Sequence, residues 1–275
     1  MTAFEALPFG PWLSLWGLVP DGAAFSTHHA RLLPVTRAGQ PAMLKLTRQP
    51  DEIRGGAVMA WWAGDGAAPV LARQDGALLL ARASGTRNLA DMARNGEDDR
   101  ASRIICDVAA RLHVGRPNPP DLMPLPEWFR ALEPAARTQG GVMAQAWATA
   151  QALLAEPQQQ VVLHGDLHHD NILDFADSGW LAIDPHGLWG ERAFDFANIF
   201  TNPDLSDPTR PVATRPGTFQ RRLDCVVKAA GLDRARLLRW ILAWTGLSAA
   251  WFMEDGDPKA GIDLQIAELA LAELS

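Results

Sequence analysis

The sequence predicts an α+β chain of two lobes: a small β-rich lobe with one helix over residues 1–83, and a larger helical lobe over 84–275. Three observations predict it. Short apolar runs separated by turn residues fill the first part of the chain, broken by one stretch with helix start and stop signals. After Gly85 the apolar period lengthens to that of helices. A single short strand pair, Asn171–Phe175 and Trp180–Asp184, then interrupts the helical pattern around Asp177-Ser178-Gly179. At 275 residues, 48% hydrophobic and 21% charged, the chain can build a sizeable core, which excludes disorder, collagen and coiled coil.

The elements follow in order. Ser14–Pro20, Ala30–Thr36 and Pro41–Thr47 read as strands, punctuated by Asp21-Gly22 and Arg37-Ala38-Gly39-Gln40, with Arg31–Leu46 as a hairpin. Asp51–Trp62 reads as a helix, with Pro50 at its start, Asp51 and Glu52 in its first turn and Gly64 beyond its end. Pro69–Ala72 and Ala77–Ala81 read as strands around Gln74-Asp75-Gly76, and Leu80–Gly85 connects the lobes. Asn88–Arg94 and Asp98–His113 are helical by period, the second with Ile104, Ile105, Val108, Ala109 and Leu112 on one face. A Pro-rich loop, Arg116–Pro126, precedes helices over Leu125–Thr138 and Val142–Leu154. Val161 opens a buried strand that runs into His164-Gly165-Asp166, and from Ala193 the chain reads as helical except for a Pro-rich loop at Pro203–Pro216. Trp240, Trp244 and Trp251 lie at helical spacing and read as core, and Glu254, Asp255 and Asp257 as a solvated helix end.

Charge and cysteine usage narrow the function classes. A net charge of −7 argues against a nucleic-acid partner, which needs a basic surface, and is compatible with a cationic small substrate. The longest apolar stretch, Ile241–Met253, is too short and too broken to span a membrane. The N-terminal residues lack the basic region of a secretory signal. Cys106 and Cys225 sit in apolar helical patterns and read as reduced residues of a cytoplasmic protein. Lysine is scarce, so Lys45, the only one before Lys228, stands out.

The densest polar cluster is His164-Gly165-Asp166-Leu167-His168-His169-Asp170-Asn171, followed by Asp184-Pro185-His186-Gly187 at the next strand end. Two chemistries compete for it. One is a metal site of imidazoles and carboxylates, as in a metal-dependent hydrolase. The other is phosphoryl transfer, which needs a carboxylate to orient the attacking hydroxyl and oxygen ligands for Mg²⁺. Asn171 lies five residues after Asp166, and Asp184 thirteen beyond Asn171 across the expected hairpin, which suits the second.

HGDLHHDN with IDPHG closely resembles the catalytic and metal-binding loops of the aminoglycoside phosphotransferase family. The longer run through GWLAIDPHGLWGERAFDFANIF, with DEIRGGAVMAWWAGDGAAPVLA upstream, is similar to its streptomycin 6-phosphotransferase and hydroxyurea phosphotransferase branch. The resemblance implies a two-lobed protein-kinase-like fold and transfer of the ATP γ-phosphoryl group, with Mg²⁺, to a hydroxyl of a small molecule. A streptomycin-type aminocyclitol is the first expectation, hydroxyurea the second and another amino alcohol or sugar the alternative. A hydrolase or a non-catalytic nucleotide-binding module stands behind these. It implies that Asp166 orients and deprotonates the acceptor and that Asn171 and Asp184 hold Mg²⁺. Lys45, at the end of PAMLKL, would hold the nucleotide phosphates, paired with Glu52 despite a spacing of only seven residues. His168 stands where protein kinases carry a catalytic-loop lysine. The G-x-G-x-x-G loop of protein kinases is missing; DGAAFSTHHAR takes its place, with Ser26 and Thr27 as candidate nucleotide contacts. His164 and Asp195 are expected to brace the catalytic loop. The resemblance also offers the C-terminal acids as a lining for a cationic sugar.

Overall fold

The computed structural model describes residues 7–275. Helix α1 (Gly10–Trp16) leads into β1 (Leu18–Pro20), β2 (Phe25–Ser26), β3 (Ala30–Arg37), β4 (Gln40–Thr47), α2 (Pro50–Trp62), β5 (Val70–Gln74) and β6 (Ala77–Ala81). The strands form one antiparallel sheet in the order β1-β3-β4-β6-β5, with β2 added to β3. Side chains alternate across it. Leu33, Val35, Ala42, Leu44 and Leu46 pack beneath Trp12, Leu13 and Trp16 of α1. The opposite register sends Lys45 to the other face, where Leu78 and Leu80 meet Met59 of α2 and Phe175 and Leu181 of the second half.

The first expected strand, Ser14–Pro20, is thus split: its first three residues close α1 and its last three form β1. Pro11 at the start of α1 and the left-handed Gly17 at its end are the helix's boundary signals, and Trp12, Leu13 and Trp16 lie together on one helical face. A short apolar run before a turn signal suits a strand; the packing of the two half-buried tryptophans on the sheet decides for the helix as far as Gly17.

The second half contains α3 (Leu89–Met92), α4 (Asp98–Leu112), β7 (Met123–Pro124), α5 (Leu125–Trp128), α6 (Leu132–Gln139) and α7 (Gly141–Ala155). Then come β8 (Gln160–Leu163), β9 (Ile172–Asp174), β10 (Trp180–Ala182), β11 (Leu188–Glu191), α8 (Thr218–Ala230), α9 (Arg234–Glu254) and α10 (Ala260–Leu274). Three details differ from the sequence reading. The helix expected over Leu125–Thr138 is broken by a 3₁₀ turn at Phe129–Ala131. The segment from Arg192 to Phe200 is 3₁₀, not α. Residues 188–191 form a strand that pairs antiparallel with β8 and parallel with β7.

That third strand matters for the site. β8 runs into residues 164–171, the hairpin β9–β10 follows, and β11 returns beside β8 with Leu188 opposite Leu163. The loops at residues 164–171 and 183–187 are therefore held side by side. The hairpin is tied to the sheet domain by Ala68 N–H to Ala182 O and Ala182 N–H to Gly66 O, both 2.8 Å. Asp174 fixes the connector: its backbone oxygen accepts from Gly85 N at 2.9 Å, and its carboxylate takes Arg87 in two hydrogen bonds of 2.7 and 2.9 Å. No helix among the described residues is long and apolar enough to cross a membrane.

Candidate active site

Residues 164–171 are shaped by hydrogen bonds from behind. Asp195, buried in the 3₁₀ segment, accepts from the backbone N–H of His164 at 2.9 Å and of Gly165 at 2.8 Å, and His113 Nε2 bonds the same carboxylate at 2.8 Å. The buried His164 ring accepts from Asp166 N–H at Nδ1 (3.2 Å), which leaves Nε2 to donate to Ile183 O at 2.8 Å. Burial lowers the pKa of this imidazole, matching the neutral form these bonds require. Gly165 has φ +87°, and a Cβ there would stand 2.9 Å from Leu188, so the turn requires glycine. His164 and Asp195 occupy the bracing positions the sequence suggested.

The brace presents Asp166. Asn171 Nδ2 donates to its Oδ2 at 2.8 Å and to its backbone oxygen at 2.8 Å. Asn198 Nδ2 donates to the other oxygen, Oδ1, at 2.6 Å. His168 Nε2 lies 3.5 Å from Oδ2, while its Nδ1 accepts from Asp170 N–H. Burial alone would raise the carboxyl's pKa, but the charge and hydrogen bond of His168, with His186 and His164 nearby, hold it well below the carboxylate range. Reciprocally, burial would lower the His168 pKa, and Asp166 outweighs this and raises it.

Asn198 was not singled out from the sequence. Its signal is positional: it lies three residues beyond Asp195, close to one turn of the 3₁₀ segment further on. Asn202 Nδ2 donates to Asn198 Oδ1 at 2.9 Å, which orients the Asn198 amide with its Nδ2 toward Asp166.

Lys45 approaches from β4 and is tied to two residues of the site. Its ammonium pairs with Glu52 of α2 and bonds Asp184 Oδ1 at 2.7 Å. The seven-residue spacing suffices because only Arg48 and Gln49 separate β4 from α2. Burial would lower the Lys45 pKa, but Asp184 and Glu52 outweigh it, so the ammonium stays charged. Asp184 adopts φ +57°, an unusual backbone for a non-glycine residue that turns its side chain out of the strand end.

α2 is seated directly on this loop. Arg54 Nε donates to His186 O at 3.0 Å, and a Cβ on Gly55 would lie 1.8 Å from the Pro185 carbonyl oxygen. Gly55→Ala is therefore expected to push α2 off the loop. We expect a loss of about 1–3 kcal/mol in thermal or urea unfolding, although alanine favours a helix by about 1 kcal/mol. Equal stability of variant and wild type would refute the close packing.

Asp166, His168, Asn171, Asp184, Glu52 and Thr27 line one cleft of about 480 Å³. Ser26 is exposed on β2 and is not among its lining residues, whereas His28 and His29 are. The Thr27 amide already bonds Ala30 O at 2.9 Å, so it is engaged within the turn. The competing imidazole–carboxylate metal site does not assemble. His164 is spent on the loop, His169 is buried with both nitrogens unpartnered, and His186 packs on Trp128 at 4.8 Å. Oxygen ligands fare better. Asn171 commits Nδ2 to Asp166, Asp184 commits Oδ1 to Lys45, and the Ile183 N–H to Asn171 O bond of 2.9 Å holds the two backbones together. Asn171 Oδ1 and Asp184 Oδ2 are a hard donor pair that fits Mg²⁺.

Comparison with known proteins agrees with this geometry. Residues 15–256 match the model of the aminoglycoside/hydroxyurea antibiotic resistance kinase family. Streptomycin 3''-kinase of Klebsiella pneumoniae is 55% identical over 259 residues, covering 93% of this chain and 97% of that protein. Streptomycin 6-kinase of Streptomyces griseus is 32% identical over 255 residues, covering 88% and 80%. A variant of aminoglycoside phosphotransferase APH(4)-Ia, solved with ADP and hygromycin B, superposes with a TM-score of 0.70 over 97% of this chain and 98% of that one. At 13% identity that likeness shows the fold: two lobes, protein-kinase-like. The chain belongs to the aminoglycoside/hydroxyurea antibiotic resistance kinases and is a phosphotransferase acting on a hydroxyl group of a small molecule.

Proposed function

We propose that this chain is an ATP- and Mg²⁺-dependent streptomycin kinase that phosphorylates the 3''-hydroxyl. The phosphotransfer chemistry is carried by one observation: Asp166, held by two amides, shares a cleft with Asn171 and with Asp184, to which Lys45 is bonded. The acceptor and its position are supported by the 55% identity to the Klebsiella pneumoniae enzyme, which spans nearly all of both chains.

The residues divide the work. Lys45, fixed by Glu52, binds the nucleotide phosphates as a point charge. Asn171 and Asp184 hold Mg²⁺, which when bound neutralises charge on the transferring phosphate. Asp166 Oδ2 or Oδ1 accepts the hydrogen bond of the acceptor hydroxyl and takes its proton as the new P–O bond forms. The bond from the γ-phosphorus to the bridging oxygen breaks, and ADP leaves. Thr27, His28 and His29 cover the cleft from β2–β3. His168, a charge beside Asp166, faces the same space.

Lys45→Ala is expected to raise the ATP KM about 10-fold or more while leaving the acceptor KM within about twofold. An unchanged ATP profile would remove the phosphate role from Lys45. The proposal itself is tested by ADP release with Mg-ATP against streptomycin, other aminoglycosides, hydroxyurea, amino alcohols and sugars. Streptomycin product would then be mapped by phosphorus–proton NMR. Phosphate on the 3''-oxygen supports the reading. Phosphate on the 6-oxygen, or turnover only with other acceptors, overturns it.

A further inference from the structure

The turn between β2 and β3 is held without its two central side chains. Thr27 N–H donates to Ala30 O at 2.9 Å, and Thr47 Oγ1 donates to the His29 carbonyl at 2.8 Å. Ala30 is fully buried, whereas His28 and His29 at the crown of the turn are exposed. Their rings meet edge to face, 5.3 Å between centroids. Both line the cleft that contains Asp166, Asn171 and Asp184. The bonds that shape the turn use backbone and threonine atoms, so the two imidazoles face the cleft without having to hold the fold.

The charge inventory of the cleft gives these rings a task. Glu52, Asp166 and Asp184 line it, and among the described residues no lysine or arginine does. Lys45 lines a separate cavity of about 300 Å³ between the sheet and α2, and its ammonium is bonded to Glu52 and Asp184. A phosphoryl group in transit spreads negative charge over its equatorial oxygens, and donors fixed around those oxygens stabilise it. The donors the cleft itself offers are mostly imidazoles. His168 lies 3.5 Å from Asp166, with its Nδ1 taken by the Asp170 N–H, and His186 packs on Trp128 at 4.8 Å. That leaves His28 and His29. Neutral or charged, an imidazole carries at least one N–H donor, so the role does not depend on its protonation state.

We propose that His28 and His29 donate hydrogen bonds to the terminal phosphate of the nucleotide and keep them as that group is transferred. Two side chains then do what a glycine-rich loop does by covering the phosphates. Position selects the terminal phosphate. Asp166 takes the acceptor hydroxyl, so the phosphorus under attack lies between Asp166 and the end held by Lys45, and the crown of the turn borders that space. No covalent bond forms or breaks at either ring, and each histidine keeps its proton. This assignment rests on the ATP reading above, and the experiment separates the two.

The test is calorimetric binding of ADP and of a non-hydrolysable ATP analogue, each with Mg²⁺, alongside steady-state kinetics. The double variant His28→Ala, His29→Ala is expected to lose affinity for the analogue about 10-fold or more, while ADP affinity stays within about twofold. Its kcat should fall about 10²-fold, with the acceptor KM within about twofold. The pair His28→Gln, His29→Gln should recover part of both losses, because an amide N–H can reach the same oxygens. It carries the test if the urea midpoint shows that the alanine pair disturbs the turn. A turn that is merely misshapen would weaken both nucleotides alike and would not respond to glutamine. Equal losses for the two nucleotides, unchanged analogue affinity and kcat, or a rise confined to the acceptor KM would overturn the assignment. If the wild type binds no ATP analogue but a GTP analogue shows the same histidine-dependent gap over GDP, the histidine contact stands and the ATP reading falls. Binding of neither triphosphate overturns both.

Discussion

Asp166→Ala is expected to lower kcat by about 10²–10⁴, the scale of a positioned general base, with ATP affinity changed by less than about threefold. The separation follows from the geometry. Lys45, Glu52 and Asp184 form their own cluster, and none of them bonds the Asp166 carboxylate. Asp166 instead faces Asn171, Asn198 and His168. Removing it strips Asn198 of its acceptor and leaves Asn171 only the backbone oxygen of residue 166, so about 1–3 kcal/mol of stability should go with it. The check is single-turnover phosphate transfer at saturating Mg-ATP, alongside nucleotide binding by calorimetry. Turnover near wild type would show that the acceptor proton goes elsewhere. A matching collapse of ATP affinity would mean that Asp166 acts through the nucleotide site and not on the acceptor.

Much of this machinery was legible in the sequence because it lies in two short segments. Asp166, Asn171 and Asp184 are fixed relative to one another by a strand, a turn and a hairpin. Their spacing therefore translates directly into space. Lys45 was legible because lysine is rare here and β4 alternates clearly. Glu52 was harder, since an acidic residue in a first helical turn is favoured by the helix dipole whatever its partner. Only the approach of α2 to the loop at Pro185, which requires Gly55, distinguishes the ion pair from a solvated carboxylate.

What was not legible depends on contacts between distant segments. Asn198 reads as an ordinary polar residue until the 3₁₀ segment places its amide on Asp166. β11 has no alternating pattern of its own, and its pairing with β8 makes it a strand. Asp263 sits in the first turn of α10, where an acid is unremarkable; only packing in the fold reveals that it is fully buried. The same argument applies to α1, whose tryptophans are explained by the sheet beneath them.

The support behind Asn198 yields the second large effect. Arg222 of α8 is 1% exposed and makes two bonds to Asp98 of α4, at 2.6 and 3.2 Å. Its remaining N–H groups bond the backbone oxygens of Ile199 and, at 2.7 Å, Asn202. Asn202 in turn orients Asn198 on Asp166. Asp98→Ala leaves the guanidinium charge buried and unpaired, so a loss of about 3–5 kcal/mol is expected. Against a typical total of about 5–15 kcal/mol this is severe. Asp99→Ala is the matched control. Asp99 pairs with Arg221 at 3.0 Å, but both side chains are well exposed, so about 0–1 kcal/mol should be lost. Urea unfolding of the two variants at one pH and salt concentration decides between burial and mere pairing. Equal losses would sink the argument. Replacing both Asp98 and Arg222 by apolar residues of similar volume should restore part of the stability, because the unpaired charge is gone but two backbone oxygens lose their donor. It should not restore kcat, because Ile199 and Asn202 would still lack the donor that fixes the segment carrying Asn198.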